Sequence, residues 1–314
     1  MKNNRFVSKI IMRTRVGSHL YGLNDENSDE DWLSIFIPQK RYILGLEKVE
    51  IVDKSIRAEQ HSDGVDEQLF SLEKYIKLLL KSVPNSIEIL FAGKENIDII
   101  SPEFEFLREN CDKILSKKIV ASFGGYALAQ IRLLFTKRDR FISLKKAFAY
   151  LESYKSEVLS EEGAQKLNSL IKYYKGPKGN TNNFHKGMET SLVKSRIEME
   201  INKYGKRVLS LDFSQPLEKV YDTKFAYHSV RMLLEAKQLL QQGRLVFPFT
   251  GEDKEILLAI KNRKFTIDEV SSMHEEMYSE ILELEKRSSL RSKPHFDFLN
   301  NYLMDIYEKA IFES

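Results

Sequence analysis

Cysteine is almost absent from this 314-residue chain, where Cys111 stands alone. A single thiol can form neither an intrachain disulfide nor a Cys-rich zinc site. Long apolar runs are missing too. No uninterrupted stretch approaches the ~20 residues that cross a bilayer. The start, "MKNNRFVSKIIMRTRVG", has neither a long apolar core nor the small-residue cleavage site of a secretory signal. These absences lead us to expect a soluble, cytoplasmic protein with no membrane partner. An excess of one charge is also lacking, since 49 Lys and Arg stand against 46 Asp and Glu, a net of +3. The chain is therefore not a uniformly basic polyanion binder.

What is there is unevenly spread. Residues 117 to 146 carry eight Lys or Arg against one Asp, and residues 172 to 207 carry nine against three acidic residues. Near the N-terminus the balance reverses. Asp25, Glu26, Asp29, Glu30 and Asp31 fall within seven positions with no basic residue among them. Solvated helix faces and an acidic turn would account for both features. So would a site where metal-bound carboxylates meet a polyanion.

With 42% hydrophobic residues the chain can bury a sizeable core, and its length suits two domains of ~100–200 residues each. "FVSKIIMRTRV", "WLSIFIP" and "VEIVDKSI" read as strands. "SLEKYIKLLLKSV" places Leu72, Tyr75, Ile76, Leu79 and Leu80 at helical spacing, the chain turns at Pro84-Asn85, and "SIEILFAG" restarts a short helix. From about residue 117 the pattern is helical. Ile119, Phe123, Tyr126, Ala127 and Leu134 form one apolar stripe, and residues 224 to 242 form another. "TIDE" at 266 to 269 is a capping-box start, and Pro294 opens a final helix. Gly124-Gly125 inside a helical stretch marks a kink or a close backbone approach. "KGPKGNTNNFHKG", 175 to 187, reads as a loop. The expected fold class is α/β plus all-α, a small mixed-sheet domain at 1–110 followed by a helical domain at 111–314.

The acidic knot admits three readings. As a calcium loop, "DENSD" has acidic or amide residues at alternating positions, but Glu30 and Phe36 stand where an EF-hand needs its Gly and its bidentate Glu. That reading fails. As a hairpin connection it needs nothing further. As a metal site it uses its surroundings. In a strand Asp29 and Asp31 project to one face. Two carboxylates there repel until a divalent cation joins them, and Mg²⁺ is commonly held by one or two carboxylates with phosphate and water. Upstream, Gly17-Ser18 can form a turn whose N–H groups and hydroxyl face a phosphate.

"GSHLYGLNDENSDED" resembles the signature of the DNA polymerase β-like nucleotidyltransferases: Gly-Ser, a spacer, then Asp-x-Asp. The fuller form, Gly-Ser-x-x-Tyr-Gly-Leu before Ser-Asp-x-Asp, resembles the RNA-repair-pathway DNA polymerase β family. "LEKYIKLLLKSVPNSIEILF" is similar to that family's helix, Asn-Pro-Asn turn and Glu-x-Leu, with Val83 where the first Asn is usual. "YDTKFAYHSVRMLLEAKQLLQQGRLVFP" is similar to its Lys-x-x-x-His-x-x-Arg helix, here Lys224, His228 and Arg231. The resemblance implies a polymerase β-like sheet domain and a metal-dependent nucleotidyltransferase. Asp29, Asp31 and a third carboxylate would be catalytic and hold Mg²⁺ or Mn²⁺. That third carboxylate is Asp66, with Asp63 and Glu67 as rivals. Gly17, Ser18, Ser28, Lys224, His228 and Arg231 would bind a nucleoside triphosphate such as ATP. Tyr126 and Gln130 could lie over the base, and Trp32 would be a core residue facing away from the aspartates. The implied acceptor is RNA, in keeping with RNA repair. A protein hydroxyl, a small polyol, or an idle nucleotide- or RNA-binding role are the alternatives.

Overall fold

The computed structural model describes residues 5–26, 28–56, 65–171, 184–208, 217–219 and 221–312. Strand β1 (Val7–Val16) is followed by the one-turn helix α1 (Ser18–Tyr21), strand β2 (Glu30–Pro38), helix α2 (Lys40–Leu44) and strands β3 (Ile51–Ile56) and β4 (Val65–Ser71). Helices α3 (Leu72–Leu80) and α4 (Pro84–Glu88) come next, then β5 (Ile97–Ile100), α5 (Pro102–Glu109) and α6 (Cys111–Ile114). The rest is helical: α7 (Gly125–Ser153), α8 (Glu161–Leu170), α9 (Thr190–Val208), α10 (Thr223–Gln242), α11 (Gly251–Lys261), α12 (Ile267–Arg287) and α13 (Phe296–Phe312).

The described strands form one mixed sheet in the order β3-β4-β2-β1-β5. β2 is antiparallel to β1 and parallel to β4, and β1 and β4 each pair antiparallel with an outer strand. From Leu33 to Pro38 every residue of β2 is buried. A strand flanked on both edges and covered on both faces has no position for alternating polar residues, hence the continuous apolar run. Ser71 ends β4 and at once caps α3, its hydroxyl accepting from the Lys74 N–H at 3.3 Å. Leu72, Tyr75, Ile76 and Leu79 of α3 are buried, while Leu80 is only partly so. A parallel pair needs a crossover, and the β2-to-β4 connection runs through α2 and β3, with residues 57–64 outside the described set.

By compactness the chain divides into two units. The first comprises Met1–Leu128, Ser229–Ala259 and Met273–Ser314, and the second Ala129–His228 and Ile260–Ser272. The segment 1–110 lies wholly in the first unit, and 111–314 is shared between the two. Within the first unit α13 meets the sheet domain: Tyr307 Oη accepts from the Glu73 N–H at 3.2 Å, and Tyr302 Oη donates to the Glu103 carbonyl at 2.8 Å. In the second unit Phe141, Leu144 and Leu151 share a core with Leu167, Val193 and Ile197. Ser160 caps α8 by accepting from the Gly163 N–H at 3.0 Å. The Thr266–Glu269 box forms as its sequence predicts. Thr266 N–H donates to Glu269 Oε2 at 2.7 Å, and Glu269 N–H donates to Thr266 Oγ1 at 3.2 Å.

The Gly124-Gly125 pair ends a π-helical turn over Val120–Gly124. A methyl on Gly124 would lie 3.0 Å from Tyr278 Cε2 and 3.2 Å from Ile281 Cδ1, whereas one on Gly125 would meet nothing within 4 Å. Gly124 is thus the close approach. Ile119, Phe123, Ala127 and Leu134 are buried, but Tyr126 departs from the expected stripe and is 43% exposed. Most of the 175–187 loop lies outside the described residues.

Candidate functional site

Asp31 is the second residue of β2, and its neighbours fix what surrounds it. On one side it pairs with Val16, the last residue of β1, and on the other it stands in register with Asp66 of β4. Paired residues of adjacent strands lie ~5 Å apart and send their side chains to the same face. The register therefore brings Asp31 and Asp66 together. Asp31 is half-buried and Asp66 is exposed. Asp29 lies two residues before Asp31, just outside the strand, and is exposed.

The register also separates Asp66 from its rival. Glu67 pairs with Trp32 and faces the other side of the sheet. There its carboxylate accepts from Arg13 Nε at 3.0 Å and from Ser34 Oγ at 2.8 Å. The Arg13 guanidinium bridges onward to Asp98 at 2.6 Å and lies 4.0 Å from the Trp32 ring centroid, with Arg15 at 5.3 Å. Trp32 does face away from Asp31, but it is only half-buried. The expectation of a core residue is corrected to an aromatic platform under two arginines. Asp63 lies outside the described residues.

The Gly-Ser turn stands against this carboxylate pair. Gly17 has φ +67° and ψ −144°, a conformation that L side chains rarely adopt, and a methyl group there would come within 3.2 Å of Asp31 Oδ2. The backbone conformation favours glycine, and a side chain there would press on the Asp31 carboxylate. Tyr21 N–H donates to the Gly17 carbonyl at 3.2 Å and Leu23 N–H to the Ser18 carbonyl at 3.0 Å, closing the turn. Ser18 is partly exposed. Ser28 serves the loop leading to Asp29: its hydroxyl donates to Asp25 Oδ1 at 3.1 Å and accepts from the Asp25 N–H at 2.9 Å.

On helix α10, Arg231, expected to bind nucleotide, is buried and already paired with carboxylates. It is 3% exposed, and its Nη1 donates to Glu88 Oε1 at 2.9 Å and to Glu235 Oε1 at 2.6 Å. Its guanidinium carbon lies 4.0 Å from the Tyr21 ring centroid, and Tyr21 Oη donates to Glu88 Oε2 at 2.6 Å. Burial pushes the Glu235 carboxyl well above the ordinary carboxylate range against the pull of Arg231, with Glu88 adding to the rise. Burial likewise raises the Tyr21 phenol. Lys224 is exposed and His228 half-buried, both in the second unit. Tyr126 belongs to the first unit and Gln130, 8% exposed, to the second.

Sequence reasoning missed this buried cluster, although Tyr21, Glu88 and Arg231 each sit inside a stretch that carries the family resemblance. The signal was the presence of three such stretches, and it did not say that they meet.

Asp29, Asp31 and Asp66 offer oxygen donors alone, the set a hard divalent cation such as Mg²⁺ takes. Among the described residues no three metal-ligating side chains are already gathered into a cage. The fit of the site to a cation rests on the Asp31–Asp66 register, since two carboxylates sharing one face repel until a cation is bound. Among the described residues no helix is long and apolar enough to cross a membrane.

Residues 2–153 match the sequence model of the RNA repair pathway DNA polymerase beta family, which bears out the family read from the motifs; the Lys224–Arg231 motif lies outside the matched residues. The mixed five-stranded sheet followed by helices is the polymerase β-like domain with a helical region that the resemblance implied. Over nearly its whole length the chain is also similar to an uncharacterized 38.9 kDa protein from the nrdC-mobD intergenic region of Enterobacteria phage T4. The two are 21% identical over 333 aligned positions, covering 95% of this chain and 97% of the phage protein. No solved structure matches.

Proposed function

We propose that this chain, whose residues 2–153 belong to the RNA repair pathway DNA polymerase beta family, is a metal-dependent nucleotidyltransferase. It would move a nucleoside monophosphate from a nucleoside triphosphate to an acceptor hydroxyl, with RNA as the acceptor. The observation that carries this reading is the in-register pairing of Asp31 with Asp66 beside Gly17, whose methyl derivative would lie 3.2 Å from Asp31 Oδ2. Carboxylates that would bind a cation thus adjoin a turn that would bind phosphate.

Asp29, Asp31 and Asp66 would hold Mg²⁺, with Mn²⁺ as a substitute. When bound, the metal would neutralise charge on the triphosphate and on the attacking and leaving oxygens. The protein's own part is positioning. The Gly17–Ser18 turn would hold the β- and γ-phosphates through backbone N–H groups and the Ser18 hydroxyl. Asp66 would take the proton of the acceptor hydroxyl as its oxygen attacks the α-phosphorus. The bond from that phosphorus to the bridging β-oxygen breaks, and pyrophosphate leaves. The Asp25–Ser28 hydrogen bonds would steady the loop that presents Asp29.

The test follows label from α-labelled ATP, GTP, CTP and UTP, each with Mg²⁺ or Mn²⁺, with and without a pool of small RNAs. The Asp29→Asn/Asp31→Asn double variant is the control. Label on RNA, lost in the double variant, is the expected result. Label on protein would move the acceptor to a protein hydroxyl. Label transfer that survives the double substitution would place the chemistry elsewhere, and nucleotide binding without pyrophosphate release would make the chain an idle nucleotide binder.

A further inference from the structure

Three separate parts of the chain meet in one buried cluster of the first unit: Tyr21 from α1, Glu88 from α4, and Arg231 with Glu235 from α10. The side chains of Glu88 and Glu235 are 1% and 0% exposed, and that of Arg231 is 4% exposed. Burying two carboxylates beside one guanidinium is costly, and replacing such a group with apolar residues of equal volume is often neutral or stabilising. Stability alone therefore gives little reason for the cluster to exist. Its location offers another. Tyr21 is the last residue of a one-turn helix that begins at Ser18, and its own N–H closes the turn onto the Gly17 carbonyl at 3.2 Å. Its carbonyl accepts from the Phe249 N–H at 3.0 Å, and its ring packs 5.6 Å from Phe247 and 6.2 Å from Phe249. Tyr21 is thus held at its hydroxyl, its ring face and its backbone.

We infer that Arg231 is a positioning residue for the Gly17–Ser18 turn, acting through Tyr21 and Glu88 rather than by touching the nucleotide. Arg231 covers the Tyr21 ring and orients the Glu88 carboxylate that receives the Tyr21 hydroxyl. Fixing the ring fixes the C-terminal end of α1, and the two backbone hydrogen bonds from Tyr21 and Leu23 carry that fixity back to Gly17 and Ser18. What the turn is for rests on the nucleotidyl-transfer reading above. That it is held in this way does not.

Two variants keep the test within folded protein. Tyr21→Phe removes only the hydroxyl. Arg231→Lys keeps the charge but loses the planar fork and the ring-stacking face. Hydrogen exchange at residues 18–23 reads the turn directly, with α3 as the internal reference. Steady-state kinetics reads its use: loss of ground-state phosphate contacts raises KM for the nucleotide by about 10-fold with kcat little changed, and charge alone does not rescue it. The expected result is faster exchange at 18–23 in both variants, α3 unaffected, and that KM shift. Unchanged exchange at 18–23, or equal loosening of α3, would overturn the inference whatever the activity. Faster exchange confined to 18–23, in a protein whose wild type neither binds nor transfers nucleotide, would uphold the clasp and refute the nucleotidyl-transfer reading alone.

Discussion

At the scale of single residues, Asp66 and Glu67 are adjacent carboxylates with opposite circumstances. Asp66 stands beside Asp31 in the β2–β4 ladder, and Glu67 faces the other side of the sheet, bound by Arg13 and Ser34. Asp66→Asn keeps shape and hydrogen bonding while removing the charge a cation would meet. It is expected to lower turnover by more than about 100-fold with little change in melting temperature. Glu67→Gln is expected to do the reverse, weakening a half-buried ion pair and lowering the melting temperature while leaving turnover within a few-fold. Equal effects on turnover would mean that strand register is no guide to the third carboxylate. The sequence placed Asp66 only through the family resemblance, with Asp63 and Glu67 as rivals, because period-2 alternation says which side chains share a face but not which strand lies alongside. Arg231 is the opposite case. Spacing put it on the same helical stripe as Lys224 and His228, and that spacing is real. Its environment is set by Glu88, 143 residues away, which periodicity cannot show.

Secondary-structure elements were legible in proportion to their length and contrast. β2 and α3 stand out because one is a continuous apolar run and the other is amphipathic with a serine cap. β5 went unread: "IDII" has only four residues, and its pairing with Met12, Arg13 and Thr14 is a tertiary fact. The glycine pair at the start of α7 was read as either a kink or a close approach, and Gly124 alone makes the close approach. Gly125 has ordinary helical dihedrals, φ −62° and ψ −39°, and open space around it. Gly125→Ala is therefore expected to stabilise by up to about 1 kcal/mol, the usual helix-propensity gain. Gly124→Ala gains the same propensity but drives a methyl against the Tyr278 and Ile281 side chains. It is expected to be neutral or destabilising. Chemical denaturation of the two variants side by side is the measurement, and a matching gain in both would mean that the α12 side chains give way without cost.

For the whole molecule, the asymmetry of charge read from the sequence needs discounting by what the second unit does with it. Arg140 is bound to Glu200 at 2.5 Å, Arg138 lies 3.5 Å from Asp139, and the Lys194 ammonium sits 5.1 Å from the Phe148 ring centroid. Part of the basic surplus thus serves contacts within α7 and between α7 and α9. The sequence could count these charges but could not pair Arg140 with Glu200, which lies 60 residues away. An RNA held at its reacting end alone would engage only a few of the remaining cations. With about three such contacts on a single strand, affinity should fall by about 10- to 20-fold between 50 and 200 mM salt, well short of the 10³-fold or more expected of a protein with six to ten contacts. Measuring RNA affinity and label transfer across that salt range, at saturating nucleotide, tests the acceptor without assuming its sequence. A shallow decline shared by binding and transfer would support an RNA acceptor held mainly at its reacting end. Transfer that ignores salt, with no RNA binding at any concentration, would remove RNA as the acceptor and leave a small hydroxyl compound or a protein in its place.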